Sequence, residues 1–598
     1  LAISLSPSVN VKEIDLTTSI PAVATSIGAT VGNYAWGPVL EPTLVSREDE
    51  LVSTFGLPND VTYADFFGAA NFLAYASNLQ VVRVVDAAAR NASDNGTATA
   101  VIHNLTDFEA KNASATIDGW GSAVVAKYPG TYGNDITVEV ADSTTFNNVR
   151  LTIGAVTGTA FAVGDTITGA TSAATGTLVR IISANQIEVA PISGTFTIEA
   201  ISSSGTGTSN ITAIANWDET SVFDYAPDVN ELAVIVKKAG AIQEKFIAST
   251  VAGTKDFQGN SIFVDDIIAR QSSLIWANAP LLTGADVNGA ANVYTLSGGV
   301  DSGVPTIGEY EAGWDQFANP ETIDINLCIV ANGGAAVGKY VTQNVAEVRL
   351  DCVAFVSPDK ADVVGVSNAA ELIAAQRGVG GNLNFSSSYA VIDGNYKYQY
   401  DRYNDVYRWV QLNGDVAGLC AHTDYVADPW FSPAGFNRGN IKNVVKLAFN
   451  PNKAERDLLF KNNINPIVTF KGQGTVLFGD KTAQTKPSAF DAINVRRLFI
   501  TLEKAIATAA KYMLFENNTR QTREKFRSMV EPFLRDVKGR QGIYDFAVVA
   551  DERNNTPQVI DSGEFRGDIY IKPARSIRTI SLSFVAVRSG VSFKEVIG

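Results

Sequence analysis

The sequence predicts a multidomain α+β protein: an α/β body, an inserted all-β module, a C-terminal α+β domain, and an extended strand arm at each end. Three observations predict it. Residues 322–359 read strand, helix, strand, the signature of a parallel β-α-β unit. Residues 94–216 change composition to Gly, Thr, Ser and Ala, with short alternating strands between turn residues. The last hundred residues hold two amphipathic helical stretches followed by strands. A chain of 598 residues also exceeds what one hydrophobic core organises.

In chain order, residues 1–20 form an extended arm in which Val9 and Val11 alternate with polar residues and Ile14 follows. "ADFFGAANFLAYA" (64–76) repeats apolar residues at helical spacing, and "LQVVRVVD" is a buried strand. The body is expected over 21–93 and 296–451. Between them, residues 94–295 form an outer insertion whose β module lies at about 151–216, since such modules are accepted at exposed loops. "TIDINLCIV" alternates as a strand with Ile323, Ile325, Leu327 and Ile329 on one side. "AAVGKYVTQNVAEVRL" is its helix and "CVAFVSPD" the second strand. The C-terminal domain is expected over 452–598. On its first helix, Val495, Phe499, Leu502, Ile506, Ala509 and Met513 form an apolar stripe, leaving Arg497, Lys504 and Lys511 opposite. "TREKFRSMVEPFL" is a second helix, followed by the strands "GIYDFAVVA", "RGDIYIKPA" and "IRTISLSFVAV". The tail "GVSFKEVIG" alternates Val591 and Phe593 with polar residues and ends near Val596, a second arm.

Composition narrows the function. A net charge of −15 disfavours a protein that coats phosphate backbones. No apolar run reaches the roughly 20 residues that span a bilayer, and the first residues carry no secretion-signal pattern. Cys328, Cys352 and Cys420 stand at no metal-ligand spacing and read as buried inert thiols. His103 and His422 are the only histidines. "LCAHTDY" places His422 beside Cys420 and Asp424, but catalytic partners normally converge from separate segments, so a tyrosine-rich turn is the expectation. "GTVLFGDKT" (474–482) nearly spells a phosphate loop, yet Asp480 stands where Lys is required and no suitable helix follows. "RGVGGNLN" follows a helix and reads as its stop. No catalytic residue, metal site or cofactor is expected. "IDGNYKYQYDRYNDVYRWV" (392–410) threads six aromatics with charges; it is expected inside the body, pairing locally, rather than stacking on nucleic acid.

Several stretches resemble a known family. "SYAVIDGNYKYQYDRYNDVYRWVQLNGDVAGLCAHTD", "SPAGFNRGNI", "LFGDKTA", "FDAINVRRLF", "NNTPQVID" and "IKPARSIRTISLSFVAV" are similar to the tail sheath proteins of contractile-tailed, T-even-like bacteriophages. "YAWGP" (34–38), "STFGLP" (53–58) and "LSGGVD" (296–301) fit the same family. The resemblance covers most of 1–92 and 230–598, while the β module departs from it. It implies a non-enzymatic homo-oligomer of six-fold rings, wound helically around an inner tail tube protein and bounded by baseplate and tail terminator proteins. The sheath would assemble in the host cytoplasm, become part of the virion, and shorten to drive the tube through the host envelope. No cofactor, no direct nucleic-acid contact and no membrane insertion are implied. It also implies that the C-terminal domain is innermost, with Arg497, Lys504 and Lys511 possible tube-facing residues. The arms, through Val9, Val11, Ile14, Val591, Phe593 and Val596, would pair with neighbouring subunits' strands. The alternatives are the sheath of a headless bacteriocin-like particle and, in a different class, a secreted adhesin or glycan hydrolase.

Overall fold

The computed structural model describes residues 24–96, 101–113, 122–143, 146, 148–216, 222–278, 282 and 292–582. The body is built on β1 (Gly28–Gly32), β2 (Thr43–Val45) and β3 (Leu79–Arg83), joined by the late strands β16 (Leu327–Ile329), β17 (Val353–Val356) and β18 (Ala390–Ile392). They form a six-stranded sheet in the order β18-β17-β16-β1-β3-β2, parallel except for β2. Helices cover both faces, so successive residues of one strand enter different cores. Cys328 and Val330 pack with Trp314, Val337 and Val345, whereas Leu327 and Ile329 pack with Phe66, Phe72, Val416 and Cys420. The single-sided strand expected over 322–330 is therefore shorter and two-sided: Ile325 joins the first core and Leu327 the second. The following helix includes one wider π-helical stretch, Val341–Ala346.

The stretch read as a turn around His422 is a helix, Asn413–Val426. Its glycines mark close approach rather than a break. A Cβ on Gly414 would lie 2.2 Å from the Gly68 carbonyl oxygen on helix Tyr63–Leu73, and one on Gly418 would lie 2.5 Å from the Tyr75 ring.

The chain leaves the body at Ser93 and returns at Ser297, and these two residues exchange backbone hydrogen bonds of 2.9 Å. Within the excursion, β4 (Val124–Ala126) pairs with β14 (Ile275–Ala277). A four-stranded sheet takes β5 (Ile136–Asp142), β12 (Glu231–Lys238), β13 (Ala241–Ser249) and β15 (Asn292–Thr295). Strands β5 and β12 are antiparallel neighbours, and all of 149–216 is threaded between them. That segment closes into a barrel of β6 (Val149–Ile153), β7 (Thr166–Gly169), β8 (Thr175–Ser183), β9 (Gln186–Ser193), β10 (Ala200–Ser203) and β11 (Thr208–Asn216). Leu151, Ile167, Leu178, Val189, Phe196 and Ile211 fill its interior. Closure removes the sheet edges that such a Thr- and Gly-rich module would otherwise expose.

A small three-stranded sheet of β19 (Tyr396–Asp401), β20 (Val406–Gln411) and β21 (Lys446–Leu447) flanks the body. The body's packing runs past residue 452, where the sequence reading ends it: Leu459, Ile464 and Ala483 lie in one body core, and Ile467 of β22 (Ile467–Phe470) and Leu477 of β23 (Gly474–Leu477) in the other. The C-terminal unit consists of helices Ile493–Ala510 and Arg520–Gly539 under a hairpin of β24 (Ile543–Val549) and β25 (Asp568–Pro573). Phe526, Val530, Leu534 and Val537 recur at helical spacing on the second helix and close a core with Leu498, Leu502, Ile543 and Val548.

Candidate assembly interface

The two ends of the described chain are each fixed by an ion-pair anchor. Near the N-terminal end, Arg497 on helix Ile493–Ala510 donates to both carboxylate oxygens of Asp424 at 2.7 and 2.5 Å. The same guanidinium donates to the carbonyls of Cys420 and Thr25, each at 3.1 Å. Burial works against its charge, but the Asp424 carboxylate raises it above the ordinary arginine range. One fork thus joins the C-terminal unit, the helix Asn413–Val426 and the root of the N-terminal arm.

At the other end, the chain leaves β25 and crosses back to the body. The buried Asp480 carboxylate accepts from the Ser576 hydroxyl, from Arg578 Nε at 2.8 Å and from the Ser432 hydroxyl at 3.2 Å. Arg578 also lies 3.7 Å from Asp491. Asp480, the residue that breaks the phosphate-loop pattern, is a structural acceptor here, and the Gly474–Leu477 stretch is strand rather than loop.

Among the described residues, the C-terminal hairpin is a two-stranded sheet. β24 pairs only with β25, and no other described residue pairs with the outer edge of either strand. Its inner side places Phe546, Val548, Ile569 and Ile571 on the helical layer, while Tyr544 and Tyr570 are 68% and 63% exposed. A two-stranded sheet whose edge strands lack a further partner is a template for additional strands. Beside β24 runs a groove of about 980 Å³ bordered by Trp430, Phe431, Phe478, Tyr544 and Ile577. Val9, Val11, Ile14, Val591, Phe593 and Val596 lie outside the described residues. The segment 577–582, expected as part of a strand, is irregular, with Ile577, Ile580 and Leu582 exposed.

The basic ridge expected on helix Ile493–Ala510 does not form, which corrects the placement of Arg497. The helix is a seam between two cores: Ile493 and Ile500 face the body, and Leu498 and Leu502 face the C-terminal unit. The side opposite the predicted stripe is therefore protein, not solvent, and Arg497 is only 4% exposed. Phe499, expected in the stripe, is half-buried against Phe490. Lys504 pairs with Asp324 of the body, and Lys511 alone of the three is exposed. Sequence reasoning missed Asp424 and Asp480 as anchors; an acid near a helix end or a strand end carries no periodic signal.

Nothing at Cys420 and His422 assembles a nucleophile and base. Burial pushes the Cys420 thiol up to about 12, and the Asp424 carboxylate is engaged by Arg497. All three cysteines are buried, as the sequence indicates. The aromatic run pairs its charges locally only in part: Arg408 pairs with Asp401 inside the run, whereas Lys397 pairs with Asp415 and Arg402 with Glu48; nor is the run wholly interior, since Tyr400 and Tyr407 are exposed.

Residues 303–483 match the phage tail sheath protein central domain, residues 485–586 the phage tail sheath C-terminal domain, and residues 25–84 the N-terminal region of domain III of tail sheath protein Gp18. The tail sheath protein of Vibrio phage KVP40 is 38% identical over 680 aligned positions, covering 99% of this chain and 100% of the relative. That of Enterobacteria phage T4 is 36% identical over 665 positions, covering 99% of each. Among solved structures, the sheath tail protein Lin1278 from Listeria innocua is similar in fold, with a TM-score of 0.50 at 14% identity, covering 92% of this chain and 96% of that one. These matches span the body and the C-terminal unit that carry both anchors and the C-terminal hairpin: the chain belongs to the phage tail sheath protein family.

Proposed function

We propose that this chain is the repeating subunit of a contractile phage tail sheath, joined to its neighbours by strand exchange at the C-terminal hairpin. The observation that carries the proposal is that no other described residue pairs with the outer edges of β24 and β25, in a chain with an alternating apolar segment at each end. An edge on each side receives one arm from each of two neighbours. Such heterologous contacts do not close on a pair; they propagate into rings and helical filaments. Residues 94–295 form the outer layer and the C-terminal unit the inner one, stacked as six-fold rings around the tail tube between baseplate and terminator.

The two anchors suit this role. They fix where each arm departs, so bodies rotate during contraction while the linkers stay attached. Contraction then draws on a lattice trapped above a more favourable one, with no nucleotide and no catalytic step. The motion drives the tube through the host envelope for genome delivery, and the protein travels as part of the virion after assembly in the host cytoplasm.

Deleting residues 588–598 tests the proposal. The truncated subunit is expected to remain folded and monomeric and to form no cylinders in negative-stain micrographs. Cylinders of normal length from the truncated chain would overturn it.

A further inference from the structure

The chain segregates its charge. Residues 485–598 hold 19 Lys and Arg against 13 Asp and Glu, whereas residues 1–484 hold 28 against 49, so a basic C-terminal segment follows a strongly acidic one. Within the basic segment, the helix Arg520–Gly539 turns Phe526, Val530 and Leu534 into its core and Lys525, Ser528 and Arg535 outward. Arg527 pairs with Glu531, and Lys538 with Asp545. Arg520, Lys525 and Arg535 are exposed and stand in no ion pair among the described residues; Glu524 is the one exposed acid between Arg520 and Arg535.

The acidic segment carries a patch of the opposite character at the helix Glu347–Arg349. Val348 and Leu350 are 65% and 50% exposed. Leu350 ends the helix in left-handed backbone, φ 64°, a place glycine ordinarily takes, and presents a large apolar side chain to solvent there. Arg349 between them is buried: it pairs with Asp351 and donates to the carbonyls of Phe317 and Ile323, which fastens the loop before β16 beside the patch. Glu347, on the helix, and Glu321 and Asp324, on that loop, are exposed. Asp324 is engaged by Lys504, while Glu321 and Glu347 stand in no ion pair among the described residues. The result is a small apolar centre with an acidic rim.

We infer that the outward face of the helix Arg520–Gly539 docks on the Val348–Leu350 patch of a second copy of this chain. Long Lys and Arg side chains lay their stems along apolar surface while their charged ends reach water or acids at its margin. Lys525 and Arg535 therefore match both parts of the patch, the apolar centre with their stems and Glu321 and Glu347 with their charges. Each copy carries both halves, so one contact leaves a free half on either side and the next copy takes it. The inference rests on the polymer reading and adds to it an electrostatic contact that uses no strand pairing and orients subunits as they meet.

Charge reversal in tube-free assembly tests it. Lys525→Glu/Arg535→Glu and, separately, Glu321→Lys/Glu347→Lys are each expected to need about tenfold more protein to form cylinders, with the melting temperature of the free subunit unchanged. A chain carrying all four changes restores opposite signs across the contact and is expected to assemble within about threefold of the parent. Double variants that assemble like the parent overturn the inference, as does a quadruple variant no better than the doubles. A Lys525→Glu/Arg535→Glu defect seen only on the tube overturns it by assigning the basic face to the tube. A lowered melting temperature of the free Glu321→Lys/Glu347→Lys subunit overturns it by showing that those acids serve their own chain. If the 588–598 truncation fails to polymerise while both double variants assemble normally, the arm reading stands and only this contact falls; the reverse pattern removes only the arm reading.

Discussion

The Arg497–Asp424 pair offers the sharpest energetic test of how the C-terminal unit is held. Both side chains are nearly buried, at 4% and 7% exposure. Replacing Arg497 by Met keeps most of the apolar stem and removes the fork. It leaves the Asp424 carboxylate buried without its cation and strips two backbone carbonyls of a donor. Removing one member of a buried pair destabilises by about 3–5 kcal/mol, because the remaining charge is uncompensated. Replacing both members with apolar residues of similar volume is close to neutral. Arg497→Met is therefore expected to lower the urea-unfolding free energy by about 3–5 kcal/mol, and Arg497→Met/Asp424→Leu to recover most of that loss. The double variant still lacks the donor to Thr25, so limited proteolysis should cleave near residue 25 faster than in the parent. A single-variant loss of about 0.5 kcal/mol or less, the value of a wet surface pair, would refute the reasoning. So would a double variant as unstable as the single one.

Three further outcomes are expected. Burial raises the Asp393 carboxyl from 3.8 to about 7 and the Asp65 carboxyl to about 6, so each favours the native state fully below about pH 4 and that contribution is lost as pH rises through those values. For Asp393 the difference amounts to about 4 kcal/mol, and Asp393→Asn, which can still bond Ser357 and the Asn395 amide, should flatten the stability profile between about pH 4 and 7; a profile as steep as the parent's would contradict this. Replacing the barrel, 149–216, with a short linker between its roots should leave cylinders intact in micrographs, and an unfolded body would show that the barrel belongs to the core. Lys511→Glu should weaken assembly of extended sheath on the tube while sparing tube-free cylinders, by about 1 kcal/mol or less per subunit; equal assembly on the tube would leave Lys511 an ordinary solvated cation.

What the sequence disclosed follows from what leaves a periodic trace. The body strands are buried on both faces and leave short continuous apolar runs such as Val353–Val356, and the helix Arg520–Gly539 buries Phe526, Val530 and Leu534 at helical spacing, so both were legible. The helix Asn413–Val426 was not, because Gly414 and Gly418 mimic turn residues while serving a close helix crossing. Arg497 failed for a related reason. Helix Ile493–Ala510 is packed by two cores, and a single-face wheel assigns the second buried side to solvent. The aromatic run was half legible: Tyr396 and Trp409 pack on a body core as expected, but Tyr400 and Tyr407 stay exposed, and Lys397 and Arg402 find their partners, Asp415 and Glu48, outside the run. The anchor at Asp480 joins residues about a hundred positions apart and has no local signature at all.

The central claim is that β24 and β25 are completed by arms from other subunits, and imaging the assembled sheath at side-chain resolution tests it most directly. A four-stranded sheet is expected in every repeat, with a strand containing Val9 and Val11 from one neighbour on one edge and a strand containing Val591 and Phe593 from another neighbour on the other. A hairpin that stays two-stranded in the polymer, or whose edges are filled by the arms of its own chain, would contradict it.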